Sequence, residues 1–454
     1  METNKKSSFS GRLGYVMAAA GSAVGLGNIW RFPYLAAKYG GGTFLFTYII
    51  LAFTVGFALL VSETALGRKT GNNPIKAYKI LGAKKLKIGG WLNSIIPMLI
   101  IPYYCVVGGW VCKYLFEYLR GSSQILTQDT YFSNFIANPI SPAFWLVVFA
   151  VLTFIVVIKG VEKGIEKVSK ILMPILVVIA IFISIYGLMT PGAIEGLKYY
   201  IIPDFSRFSI MTVISAMGQM FYSLSIGMGI LFTYGSYMKK ETSIEESTKN
   251  VEIFDTAIAI MAGLMIIPAV FAFSGGDPDT LQAGPALMFI TIPKVFASMG
   301  FGTFAGVMFF LLVLFAALTS SIALTESAVS TFEDELGWSR KKSTVLCGVI
   351  MIALGSLSSL GYGPLANVKI IGMQFLDFFD FLTNSVMMPI AAIATCLFVS
   401  RVVGVKRIEE EVTYGGGTFK RRKVFLFMIQ YLCPIFAGII LLSSVANAFG
   451  WISM

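Results

Sequence analysis

The stretch 21–33, GSAVGLGNIWRFP, constrains this chain more than any other. It lies inside an apolar segment long enough to cross a bilayer, yet it holds Gly21, Gly25, Gly27, Asn28, Arg31 and Pro33. Each glycine costs a continuing helix about 1 kcal/mol relative to alanine, and Asn28 and Arg31 are expensive in contact with lipid. A membrane segment keeps such residues where the helix is interrupted on purpose, so that freed carbonyls and amides line a site. Two alternatives compete. Gly21-x-x-x-Gly25 also fits the small-residue face of a packed helix pair. Lys5, Lys6 and alanines 18–20 suit a signal peptide, but the polar Asn28 and Arg31 and a second long apolar run directly behind them do not.

The rest of the composition points to the membrane. The 454 residues are 56% hydrophobic and 13% charged, with a mean hydropathy of +0.78, which describes an all-α polytopic membrane protein. The net charge of +11 is no nucleic-acid signal, because the basic residues cluster at 5–12, 68–87, 159–170, 239–249, 340–342 and 401–423, all on one side of the expected spans. The positive-inside rule makes that side cytoplasmic, with the N-terminus inside. Cys105, Cys112, Cys347, Cys396 and Cys433 fall within spans, so no disulfide framework is visible. The absence of histidine removes the commonest general base and metal ligand, and no enzyme is expected.

Hydropathy and helix breakers give eleven spans: 12–37, 42–68, 90–119, 142–158, 165–189, 211–238, 251–274, 303–335, 342–362, 370–401 and 424–451. Eleven crossings from an inside N-terminus place the C-terminus outside, and the tail after Phe449 carries no Lys or Arg, in agreement. The outside connection 275–302, with Pro278, Pro285 and Pro293, is expected to fold back over the mouth. The inside segment 402–423, with glutamates at 409–411 and basic residues at 420–423, reads as a solvated linker. The connection 69–89 is the one long inside loop.

The sixth span repeats the peculiarity of the first. Residues 218–229 read GQMFYSLSIGMG, with Ser223, Ser225, Gly227 and Gly229 at mid-membrane depth. Two interrupted segments in corresponding positions are the sequence mark of an inverted-repeat secondary transporter with its site at the midplane. Together with RLG at 12–14, FAALTSSIAL at 315–324 and FEDEL at 332–336, these motifs resemble the neurotransmitter:sodium symporter family, in its bacterial amino-acid branch typified by the leucine transporter. The resemblance runs through about the first 400 residues. It implies a single transporter domain over 1–454: a five-plus-five inverted repeat with broken helices 1 and 6, its halves at 12–189 and 211–401, and a peripheral helix at 424–451. Many members have a twelfth span, which this sequence does not show, so the oligomeric state stays open.

The resemblance also implies site residues. One sodium ion would meet the carbonyl of Ala23, the side chains of Asn28 and Ser223, and a group on span seven. A second would meet carbonyls of Gly21, Val24 and Ala316 with the hydroxyls of Thr319 and Ser320, although hydroxyls at 319–321 also suit simple back-bonding within a helix. On span seven the position usually held by asparagine is Asp255, so a carboxylate falls at the sodium site itself. An intramembrane acid is functional by default; the alternative is a charge near a helix N-terminus favourable to its dipole. Two sodium ions and no chloride requirement are therefore expected, although Tyr48, Gln219 and Ser223 resemble chloride-site partners.

Gly25 stands where monoamine-carrying relatives hold aspartate, which leaves room for the substrate's own carboxylate. Amides of Leu26 and Gly27 and the hydroxyl of Tyr104 would hold it. Carbonyls of Ala23, Tyr222 and Ser223 and the hydroxyl of Ser225 would meet the amine. Ile100, Tyr222, Met228, Ser320 and Leu324 would line an apolar side-chain pocket, and the unbranched Met228 yields more easily than a ring. Arg31 and Asp380 would form an outer gate, and Lys6 and Asp334, with Tyr237 nearby, an inner one. Glu63 in the second span has no role in this scheme. The function implied is sodium-coupled symport of hydrophobic, including aromatic, amino acids into the cell across a bacterial plasma membrane. The alternative is a membrane receptor that binds an amino acid without moving it.

Overall fold

Nothing but helix and its breaks positions the site. The computed structural model describes residues 8–82, 86–275 and 284–452. Among them are nine uninterrupted helices long and apolar enough to cross a membrane. The second to fifth spans are Gly42–Thr70, Lys87–Leu119, Ser141–Ile158 and Val161–Leu188. The seventh to eleventh are Ile244–Ser274, Gly302–Leu336, Arg340–Leu360, Phe375–Val403 and Arg422–Ala448. The two remaining spans are broken, as the sequence predicts. The first runs Arg12–Ala23, loses its helical path at 24–25, makes a π turn over Gly27–Arg31 and resumes at Phe32–Lys38. The sixth runs Ile210–Ser223, opens at 224–229 and resumes at Ile230–Ser236. Both breaks are buried, packed among the third, seventh and eighth spans.

Three features differ from the sequence expectation. The loop 69–89 contains a helix, Pro74–Ile80, started by Asn73, whose side chain accepts from the amide of Lys76 at 2.9 Å; a polar N-cap and a proline at the first position are sufficient cause. The tenth span begins at Phe375 rather than 370, because residues 370–373 close a turn on mutual backbone hydrogen bonds with Gly372 at φ 77°. The segment 402–423 is not a solvated linker. Its helix Val405–Val412 buries Ile408 and Val412, one turn apart, and carries the buried Glu411. Glu411 pairs with the Arg68 Nε at 2.8 Å and the Lys240 Nζ at 2.7 Å. Farther along, Arg421 pairs with the buried Glu252 at 2.9 Å and lies 3.4 Å over the Phe57 ring. Mutual pairing replaces water, so these charges staple the segment to the second and seventh spans.

The expectation for 275–302 falls partly on 276–283, outside the described residues. The part that is described forms the helical stretch Leu287–Ser298, and Gly284 and Pro285 border a cavity beside Arg31 and Asp380. The cysteines are buried and free.

Glycine sets how closely the second and sixth spans approach. A Cβ on Gly67 would lie 2.0 Å from the Phe232 carbonyl oxygen, and one on Gly235 would lie 2.4 Å from that of Thr64. Backbone cannot retreat as a side-chain tip can. Gly67→Ala should therefore cost about 1–3 kcal/mol, read as a thermal denaturation midpoint several degrees below that of Gly438→Ala, where nothing lies within 4 Å of the added carbon.

Candidate functional site

Inside hydrocarbon an interrupted helix must find new partners for its backbone groups, and the identity of those partners defines the site. At the first break the amide of Gly25 donates to the Asn28 Oδ1 at 3.1 Å, and that of Leu26 to the Tyr104 hydroxyl at 3.3 Å. The Ser320 hydroxyl lies within donating distance of three carbonyls, those of Gly21, Ser22 and Val24, at 3.3, 3.1 and 3.2 Å. The Gln219 side chain donates to the carbonyl of Gly27 at 3.0 Å. At the second break Ser225, Gly227 and Gly229 take positive φ. Gly227 donates its amide to the Glu63 Oε1 at 2.9 Å, and Gly229 to the Asn93 Oδ1 at 3.2 Å. The two breaks are tied directly by the Ser225 hydroxyl, which donates to the carbonyl of Ser22 at 3.1 Å.

Beside the breaks lies a fully buried carboxylate. Asp255 accepts from the Asn28 side chain at 2.7 Å, from Ser223 at 2.7 and 2.9 Å, and from Tyr48 at 3.0 Å. Among the described residues no basic side chain lies within 4.0 Å of it. Asp255 stands well inside the helix Ile244–Ser274, which sets aside the alternative of a charge on the first turn. A buried anion with neutral donors only is expensive in a low-dielectric interior. Oxygen-rich and lacking a protein cation, the cluster suits a hard monovalent cation as co-substrate.

The residues expected to touch substrate come together. Ala23, Leu26, Gly27, Ile100, Tyr104, Tyr222, Ser223, Ser225, Met228, Ser320 and Leu324 border one cavity, with Gly25, Asn28, Ser22 and Ile230. Its lining combines polar groups and freed backbone with the apolar Ile100, Met228, Ile230 and Leu324. The enclosed space is only about 20 Å³, so an amino acid enters only as these side chains move apart. The residues expected at the second sodium site also converge: Ser320 meets carbonyls of the first break, as above. The Thr319 hydroxyl back-bonds to Phe315 and Ala316 at 3.0 and 3.1 Å.

The expected gates are only partly assembled. Arg31 and Asp380 border the same two cavities, of about 370 and 290 Å³, but form no ion pair within 4.0 Å. Arg31 instead lies 5.5 Å over the Tyr222 ring, and Asp380 accepts from the Asn384 side chain at 2.6 Å. At the inner side Lys6 falls outside the described residues. Asp334 accepts from the amide of Asn73 at 2.9 Å. Tyr237 donates to the buried Glu326 at 2.7 Å, and its carbonyl accepts from the amide of Phe9 at 3.1 Å.

Residues 6–123 and 131–450 match the Sodium:neurotransmitter symporter family. The chain belongs to that family. It is 34% identical over 448 residues to a Bacillus subtilis protein described as the uncharacterized sodium-dependent transporter YhdH, covering 98% of each chain. It is 30% identical to the uncharacterized sodium-dependent transporter MJ1319 of Methanocaldococcus jannaschii, covering 91% of this chain and 85% of that one. The crystal structure of MhsT in complex with L-phenylalanine superposes with a TM-score of 0.87 at 37% identity, covering 97% of this chain and all of that one. Family and fold are those the motifs imply: a sodium-dependent transporter family rather than an enzyme, and a multi-pass membrane protein.

Within this symporter-family chain several residues of the site escape motif matching. Glu63 caps the second break, and Asn93 does the same one residue pair farther along. Glu326 is fully buried and ion-paired with Arg340, beside the inner-gate Tyr237. An intramembrane carboxylate or amide is itself a signal, and it would have flagged Asn93 and Glu326. The packing at Gly25 gives a direct test. A Cβ there would lie 2.7 Å from the Ser320 Oγ and 3.0 Å from the Tyr104 hydroxyl. Gly25→Ala should weaken sodium-dependent binding of radiolabelled L-leucine and L-phenylalanine about ten-fold or more, in protein that still elutes as a folded species on size exclusion.

Proposed function

We propose that this chain carries a hydrophobic amino acid, aromatic ones included, together with sodium into a bacterial cell across the plasma membrane by alternating access. The observation that carries this is the single small cavity at which both helix breaks, the apolar wall and the Asp255 cluster meet. Freed amides of Leu26 and Gly27 with the Tyr104 hydroxyl suit a carboxylate. Carbonyls of Ala23, Tyr222 and Ser223 and the Ser225 hydroxyl suit an ammonium. Ile100, Met228 and Leu324, with Tyr222 and Ser320, offer the side chain a mainly apolar lining, and the unbranched Met228 yields more easily than a ring. The fold-level neighbour MhsT, bound to L-phenylalanine, supports a substrate of this class.

Two sodium ions are proposed as co-substrates. The first is assigned to Ala23, Asn28, Ser223 and Asp255, the second to Gly21, Val24, Ala316, Thr319 and Ser320. Relatives at 26% identity, the bovine and rat taurine transporters, are named sodium- and chloride-dependent. In this chain the fixed charge of Asp255 stands in for an anion, and no chloride requirement is proposed. The halves 12–189 and 211–401 are proposed as the inverted repeat, each opening on a broken helix, with 424–451 peripheral. The basic clusters support a cytoplasmic N-terminus and an external C-terminus.

The test is uptake into proteoliposomes. An inward sodium gradient should drive accumulation of L-leucine and L-phenylalanine above equilibrium, and potassium in its place should not. Thr319→Ala with Ser320→Ala should raise the sodium concentration for half-maximal uptake several-fold. Binding without accumulation would instead indicate a receptor, and an unchanged sodium dependence would remove Thr319 and Ser320 from the site.

A further inference from the structure

The outer gate has a member that no motif supplies. Asp380 ends the helix Phe375–Asp380, and the chain continues as a π turn over Phe381–Met387. Asn384 follows Asp380 by four residues and so shares its helix face; its Nδ2 donates to the Asp380 Oδ1 at 2.6 Å and lies 3.3 Å from the Tyr103 hydroxyl. Tyr103 is braced in turn by Thr383 at 3.3 Å.

The orientation of the amide follows from its neighbour. A carboxylate accepts only, so the nitrogen of Asn384 must face Asp380 and the oxygen must point elsewhere. That oxygen is buried and has no hydrogen-bond partner among the described residues. Across the same cavity of about 370 Å³, Arg31 makes no ion pair and rests on the Tyr222 ring. A guanidinium fork seeks two acceptors side by side. Asn384 and Tyr103 already donate to Asp380, which leaves the remaining carboxylate lone pairs and a spare amide oxygen as acceptors in the same cluster.

We propose that Asn384 is a positioning residue of the outer gate: it fixes Asp380 through its Nδ2 and offers its Oδ1 to Arg31 when the gate closes. Closure then satisfies a buried acceptor that is unmet while Arg31 stays on Tyr222, which favours the closed state once substrate draws the first and sixth spans together. This rests on the alternating-access function proposed above.

The gate can be read without transport. A cysteine placed at Ser444, which borders the cavity, is labelled in proteoliposomes by a membrane-impermeant thiosulfonate. The same protein without it serves as blank, its native cysteines being buried. Labelling is compared in potassium, in sodium, and in sodium with L-phenylalanine. In the parent, sodium with L-phenylalanine should slow labelling. Asn384→Leu, or Asn384→Ala if the former does not fold, should restore it by about ten-fold, the effect of a lost hydrogen bond to a charged group. Asn384→Gln should retain part of the protection. In an Arg31→Gln background the Asn384 substitutions should add nothing further. Labelling unchanged by Asn384→Leu, or an equal change with and without Arg31, would overturn the proposal. If L-phenylalanine neither binds nor protects the parent, the substrate assignment fails, and the potassium and sodium conditions still report whether Asn384 and Arg31 set the gate together.

Discussion

A helix broken inside a bilayer must have its freed amides and carbonyls met by protein or turned into a cavity, and the rest of this structure follows from meeting that demand twice. Each unsatisfied group in hydrocarbon costs several kcal/mol, so the partners recruited to the breaks are fixed parts of the fold. Asn28, Tyr104, Ser320 and Gln219 serve the first break; Glu63 and Asn93 serve the second. They come from the first, third, eighth, sixth, second and third spans in turn. Within the buried apolar core, the middle of the bundle is therefore organised around two short irregular stretches.

The second consequence is electrostatic. Polar partners at mid-depth make a pocket of low dielectric in which charge is held by few groups. Asp255 brings a formal negative charge there and finds only Asn28, Ser223 and Tyr48 as donors. On the basic side of the bundle the opposite solution appears: the buried Glu411, Glu252 and Glu326 are each paired with an arginine, Arg68, Arg421 and Arg340. Compensated pairs hold the framework together; the uncompensated carboxylate sits where the proposed function needs a cation to arrive and leave.

The fold was largely legible because its signals are local. Gly25, Gly27, Gly227 and Gly229 announce breaks, and apolar length announces spans. Most residues that line the small cavity are legible for the same reason, since they lie on the breaks or in the 315–324 motif, whereas Ile100 and Tyr104 on the third span lie in no quoted motif. What stayed hidden depends on long-range pairing. The helix Val405–Val412 read as solvated because its partner Arg68 lies far away in sequence. Glu63 had no role until the Gly227 amide was found above it. At the outer gate the motifs supply Arg31 and Asp380; Asn384, four residues on, shares the Asp380 helix face, but the family motifs give it no part. Lys6, expected at the inner gate, lies outside the described residues, whereas the expected Tyr237 bonds to Glu326, itself paired with Arg340, two residues that the motifs do not suggest there.

The central claim is that a fixed carboxylate at the breaks offsets the charge of the cations that the site takes up. It is tested most directly by uptake of L-leucine or L-phenylalanine into proteoliposomes in sodium gluconate free of chloride, for the parent and for Asp255→Asn. The account predicts full activity of the parent without chloride, and a variant that loses most of its uptake in gluconate and regains part of it when chloride is added. A parent that itself requires chloride would contradict the account and would move the compensating charge from Asp255 to an anion held near Tyr48, Gln219 and Ser223.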